Sequence, residues 1–302
     1  MRGAWLPALI GLLLPGLAHA QQAQLPANSA TPAKDHPAGS GDPIVVTARP
    51  LPPKEEIRAL ARAITPPTMA NEPLPRFYES VCFGSQGLDR QTLIDIGNRL
   101  AMDADEAGLR LGGDGCKPNI VIFFVDGVEG EIKKLLQRRW WVFGYRSFSE
   151  IREIVDERGP VRAWSNVETR SHEGNRIGSG GFLHVSVASR IASSIRQDAL
   201  ASVVLVERKA IIGKTPVQIA DYLAMQTLAG TRPRRTGGGE TILTLFDDAT
   251  RSAPLALTAF DRGYLHGLYA GEANALASTT QGRIVRDILK AKDRETSSAT
   301  GK

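Results

Sequence analysis

The chain has little soft-ligand or thiol chemistry to offer: its 302 residues include two cysteines and five histidines. Cys82 and Cys116 have no CxxC or CxxH neighbour, which excludes the common zinc and dithiol-redox spacings. No GxSxG elbow occurs; "RIGSGGF" is a loop without the strand, turn and helix that expose a nucleophilic serine. "RLGGDGC" follows a helical pattern rather than a strand, so it is neither a phosphate loop nor a dinucleotide fingerprint. Past residue 17 no apolar run approaches the roughly 20 residues a spanning helix needs. The formal net charge of +5 is spread thinly and by itself names no partner.

What is present begins with "MRGAWLPALIGLLLPGLAHA". Arg2 supplies a positive n-region, Trp5 to Leu17 an apolar core, and Ala18-His19-Ala20 a small-x-small cleavage site. Residues 1–20 therefore read as a signal peptide, which implies export to the periplasm or beyond and a mature chain without a transmembrane segment. Residues 21–76 are dense in Pro, Ala, Ser and Gly, with few large apolar side chains to offset ordering entropy. They read as a disordered tether with one short helix at Lys54–Ile64. A single α/β domain is expected over 77–292 and a disordered tail over 293–302. In an oxidising compartment Cys82 and Cys116 are expected to form a disulfide, with two buried thiols as the alternative.

Within the domain, Phe77–Phe83 reads as a short strand, and Leu93, Ile96, Leu100 and Ala104 form one helical stripe opened by Asp89. "NIVIFFVDG" is an unbroken apolar run, as in a strand covered on both faces. Helices are expected at Val128–Gln137 and Phe148–Asp156, antiparallel strands at "PVRAWSNVET" and "FLHVSVA", and a last strand in "DALASVVLVERKAI". Thr215, Pro216 and Gln218 then write a helix start, and Gly230 its end. Thr258 and Asp261 open a further helix.

This order of elements resembles a zincin-type metallopeptidase domain. The segment "LTAFDRGYLHGLYAG" is similar to the closing helix of metzincins such as matrixins and serralysins, which runs to Leu-Tyr-Gly. The resemblance implies a zincin-like mixed sheet with packed helices, with zinc held by HExxHxxGxxH on the preceding helix. There two histidines one turn apart grip the metal and the glutamate deprotonates its water. Here that helix is "PVQIADYLAMQTLAG" and has no histidine. With Gln218 in the first place, the others hold Ile219, Tyr222, Met225 and Leu228; with Asp221 in the glutamate place, they hold Ala220, Ala224 and Gly230. The resemblance therefore implies a packing helix that has lost its metal. Gln218 caps it, and Asp221 and Tyr222 are expected on a solvated or groove-facing edge.

The remaining polar candidates are His172, Glu173, His184 and His266, which with Asp221 could build a metal site from scattered elements. No cofactor is assigned, and zinc stays open. "KKLLQRRWWVFGYRSF" mixes cations with Trp140, Trp141, Phe143, Tyr145 and Phe148. Exposed, it would suit sugars, nucleobases or a membrane interface; the favoured expectation folds these rings over the core. Nucleic acid does not suit an exported chain. "DPIVVTARP" has no assigned role, with a partner-contact strand as one reading, and "RPRRTGGGETILTLF" is expected to be a solvated connection, with contact to an acidic ligand as the alternative. Three readings follow: a non-catalytic peptidase-like binding or scaffold domain contacting an envelope protein, peptide or glycan; a periplasmic metal-dependent hydrolase with a non-standard site; and an envelope structural protein.

Overall fold

The computed structural model describes residues 53–69, 72–177, 192–232, 240–247 and 253–300. These run α1 (Lys54–Ile64), β1 (Phe83–Gln86), α2 (Arg90–Glu106), β2 (Ile120–Val125), α3 (Val128–Arg138), α4 (Phe148–Asp156), β3 (Val161–Ser171), β4 (Ile195–Glu207), α5 (Pro216–Leu228), α6 (Ala259–Tyr269) and α7 (Ala277–Thr300). The expected signal peptide, residues 21–52 of the tether, "DPIVVTARP", the strand at "FLHVSVA", His184 and most of the "RPRRTGGG" loop lie outside the described residues.

The helix starts are set by side chains. Asp89 accepts from Thr92 N and opens α2, while Ser147, Thr215 and Thr258 open α4, α5 and α6 with capping boxes closed by Glu150, Gln218 and Asp261. Among the described residues four strands form a mixed sheet in the order β1-β2-β4-β3. β1, β2 and β4 are parallel, and β3 runs antiparallel along β4 with an irregularity at Asn166/Val167. The expected β-α-β unit is therefore present as β1-α2-β2.

Two apolar clusters cover the sheet. Ile120, Ile122 and Phe124 of β2 pack into the larger one with α1, α2, α5, α6 and α7. On the other face Val121, Phe123 and Val125 meet a smaller cluster built on Ile132, Phe143, Ile151 and Trp164. The alternation in β2, fully buried on one side and half-buried on the other, follows from this unequal cover. Cys82 and Cys116 are disulfide-bonded, with Cα atoms 6.1 Å apart, so the loop after α2 is tied to the residue before β1.

Three boundaries need correction. The helix α1 has the expected bounds, yet Ile57, Ala61, Ile64 and Leu74 are buried in the larger cluster, so the folded unit begins before residue 77. Two isoleucines and an alanine spaced four and three apart give α1 an apolar stripe despite the polar composition around it. The first strand is Phe83–Gln86 rather than Phe77–Phe83, because Phe77 and Val81 are buried outside any strand and only Val81 makes an isolated bridge, to Leu111. Helix α7 continues to Thr300, through the segment expected to be disordered.

Candidate functional site

Helix α5, the segment aligned above with a catalytic helix, follows the interior strand β4 and packs beside α2. Every residue from Gln218 to Leu228 is buried. The expected solvated edge at Asp221 and Tyr222 does not exist, since their exposures are 0% and 2%. Tyr222 packs its ring edge-on against Phe246, centroids 4.8 Å apart. Gln218 completes the cap and donates from Nε2 to Pro254 O at 2.9 Å, which accounts for it structurally.

Asp221 is held by α2. Arg99 donates from Nε to its Oδ1 at 2.6 Å and from Nη2 to its Oδ2 at 3.0 Å, and Leu257 N–H donates to Oδ2 as well. One turn along α2, Asp103 faces the same pair. Arg99 Nη2 lies 3.3 Å from Asp103 Oδ1, but neither Asp103 oxygen has a hydrogen-bond partner. Burial, followed by the charge of Asp221, pushes the Asp103 carboxyl up to about 8. Near neutral pH Asp103 is thus a neutral acid, which reduces the cost of enclosing two carboxyls beside one guanidinium. Sequence reading finds Asp221 but not Arg99 or Asp103. The available signal is a charged pair at i and i+4 on the apolar stripe side of α2, where unpaired charges are not stable.

The other candidates sit apart from this cluster. His172 and Glu173 form an exposed turn after β3, with Nε2 and Oε1 3.0 Å apart and each side chain more than half exposed. His266 pairs through Nδ1 with Asp287 Oδ2 of α7 at 3.0 Å. The structure therefore joins His172 to Glu173, His266 to Asp287 and Asp221 to Arg99. Among the described residues no three His, Cys, Asp or Glu side chains are grouped to hold a metal.

The C-terminal end of α5 opens on space. A cavity of about 970 Å³ lies between Gln226–Arg232, the edge strand β3 at Ala163–Ser165 and Val167, helix α4, and Tyr264 of α6. Its rim carries Glu150, Glu153 and Glu157 together with Arg146 and Arg158, which flank α4, and Arg232. Gly230, with φ 59, turns the chain out of α5 at this cavity. Setting the glycine of the metzincin motif on Gly230 places Leu223, Ala224 and Thr227 at the first histidine, glutamate and second histidine. Thr227 donates to Leu223 O and lines the cavity, so even the register fixed by the turn offers no imidazole.

The closing-helix motif has packing duties of its own. Tyr269 Oη donates to Leu228 O at 2.6 Å, joining α6 to the end of α5. Arg76 donates to Leu268 O, Tyr269 O and Gly271 O, capping the carbonyls that end α6. No family model matches the chain, and no curated protein or solved structure matches it either.

Proposed function

We propose that the protein is an exported, non-catalytic domain of zincin-like architecture that binds a peptide or glycan segment of the cell envelope. The carrying observation is the cavity of about 970 Å³ against the last turn of α5, at the large end of the range for ligand sites. Its walls are an edge strand and the helix that would carry a peptidase's zinc ligands, and that helix holds only packing residues there. A cavity of this size also favours a binding domain over a purely structural envelope protein. The disulfide and the absence, among the described residues, of any helix long and apolar enough to cross a membrane fit an exported chain.

The rim presents carboxylates of α4 and Glu157 together with the guanidiniums of Arg146 and Arg158, which flank that helix, and of Arg232 after α5, which suits a polar segment carrying both hydrogen-bond donors and acceptors better than an apolar ligand. The test is titration of the purified chain with synthetic peptides and soluble peptidoglycan fragments, alongside Ala163→Trp, a change that fills the cavity from β3. Saturable binding by the native chain that Ala163→Trp abolishes supports the proposal. One tightly held zinc per chain with peptide hydrolysis, lost in His172→Ala, would overturn it in favour of the hydrolase.

A further inference from the structure

A surface adjoining this cavity, whose lining Tyr145 and Arg146 share, is built around the aromatic-basic segment after α3. The favoured expectation for this stretch is burial, and only Phe143 follows it. Trp140 is 63% exposed, Trp141 59%, Phe148 90% and Tyr145 fully exposed. Four large rings standing in water within nine residues are an exposed apolar patch that calls for a partner.

Their exposure is imposed by a fixed backbone. Phe143 stacks on Trp164 of β3 with ring centroids 5.0 Å apart. Val142 O accepts from Trp164 Nε1 at 2.9 Å and from Asn166 Nδ2 at 3.3 Å, and Arg146 donates to Phe143 O and Ser165 O. Gly144 makes the tight turn at φ 67, where a Cβ would sit 2.6 Å from Asn166 Oδ1. One ring is anchored inward, so its neighbours on the short helical turn Trp140–Phe143 are directed out.

The same surface is cationic. From Lys133 to Ser149 the chain has Lys133, Lys134, Arg138, Arg139 and Arg146 and no acidic residue. Lys134, Arg138 and Arg139 line a cavity of about 530 Å³ at the carboxyl ends of β1 and β2, with Phe123 and Gly87 in its wall. The acid there is Glu131, 3.3 Å from Lys134. Arg138 and Arg139 enter no ion pair among the described residues.

We propose that this ledge seats the protein on a bilayer of acidic phospholipid, with Trp140, Trp141, Tyr145 and Phe148 in the interface and a lipid phosphate in the cavity at Arg138 and Arg139. Exposed rings need a partly apolar partner and the arginines an anionic one; the headgroup region of an acidic membrane is both. Lys134 is paired with Glu131 and Arg146 is turned onto Phe143 O and Ser165 O, so a second copy of the chain would oppose Lys133, Arg138 and Arg139 to the same three cations, which association does not favour. On the exported reading proposed above, acidic lipid rather than nucleic acid is the anionic surface the chain meets, and binding to nucleic acid in place of vesicles would overturn the proposal.

The test is flotation of the purified chain with vesicles of phosphatidylcholine, with and without phosphatidylglycerol. Binding is expected only with phosphatidylglycerol, accompanied by a blue shift of tryptophan emission and weakening as salt rises. Arg138→Ser with Arg139→Ser lowers the partition coefficient about 30-fold, at about fivefold per cation near an acidic surface. Trp140→Ala with Trp141→Ala lowers it about tenfold or more. All four positions are exposed, so unchanged melting curves separate loss of binding from loss of fold. No flotation, equal flotation on both vesicles, or variants that bind like the native chain each overturn the proposal. So does self-association that the tryptophan pair substitution abolishes, because the face would then join two copies.

Discussion

Arg99 of α2 and Asp221 of α5 are joined by two hydrogen bonds, 2.6 and 3.0 Å long, at the interface of the two helices. The guanidinium keeps one edge near solvent, whereas the carboxylate has none. Asp221 is compensated by Arg99 and Leu257 N–H, and it ties the helix to the loop before α6. Replacing Asp221 with alanine is expected to cost about 1 to 3 kcal/mol by chemical unfolding, because Leu257 N–H loses its acceptor while Arg99 passes to Asp103, which then ionises. Asp221→Asn should cost less.

Asp103 beside this pair makes stability fall as pH rises. Its folded pKa is raised to about 8 by burial and by Asp221, against 3.8 for an ordinary aspartate. The folded chain then holds a proton that the unfolded chain has released between these two values. The contribution is whole below about pH 4 and is lost as pH climbs toward 8, with a limiting slope of about 1.4 kcal/mol per pH unit for one proton. Asp103→Asn should remove that slope: urea midpoints at pH 5, 6 and 7 are expected to converge for the variant and to decline for the native chain. Parallel declines in both proteins would place the proton elsewhere.

Glycines in the closing helices are expected to split by contact. A Cβ on Gly263 would lie 2.4 Å from Ile288 Cα, and one on Gly267 2.5 Å from Ile284 Cα. Both targets are backbone of α7, so alanine at either position must push two helices apart, at roughly 1 to 3 kcal/mol. Gly97 in α2 and Gly282 in α7 are open, with nothing within 4 Å of where an alanine methyl would sit. Alanine there should stabilise by about 0.5 to 1 kcal/mol through helix propensity. Thermal melts of the four single variants check both signs.

These glycines mark what the sequence can and cannot reveal. Caps are local, so Asp89, Thr215 and Thr258 announce α2, α5 and α6 to within a residue. The disulfide is legible from compartment and count. Burial of Asp221 is not, because its partner Arg99 lies 122 residues away and no spacing rule connects them. The cavity at Thr227 and β3 is likewise a product of tertiary packing. Exposure of Trp140 and Trp141 escapes for a related reason: composition predicts burial for tryptophan, while the anchoring of Phe143 on Trp164 decides which rings remain outside.

Helix α1 reads in sequence as part of a dispensable leader, and the structure makes it part of the core. Ile57 and Ile64 are 1% and 0% exposed, and Ile64 O accepts from Arg232 N–H beyond the end of α5. Truncation to Arg76 should abolish the cooperative melt, since it uncovers the surface under both isoleucines. Ile64→Ala in the full chain should cost about 2 to 5 kcal/mol. A truncated protein that melts as sharply and as high as the full one would mean that α1 contributes no stability.

The final expectation concerns metal on α5. A water becomes nucleophilic near neutral pH when a metal is held on imidazoles and carboxylates around an open position. Within the helix, the carboxylate Asp221 is already committed to Arg99 and Leu257 N–H; Gln218 caps; Thr227 returns its hydroxyl to Leu223 O. Freeing Asp221 for a cation would break its bonds to Arg99 and Leu257 N–H, so the helix resists metal by its packing as well as by its composition. Purified protein dialysed against chelator-free buffer is expected to contain far less than one zinc per chain, and Leu223→His with Thr227→His should not create a peptidase, because the base and third ligand remain absent. Stoichiometric zinc that survives dialysis and is released by His172→Ala or His184→Ala would contradict this account and direct attention to the turn after β3.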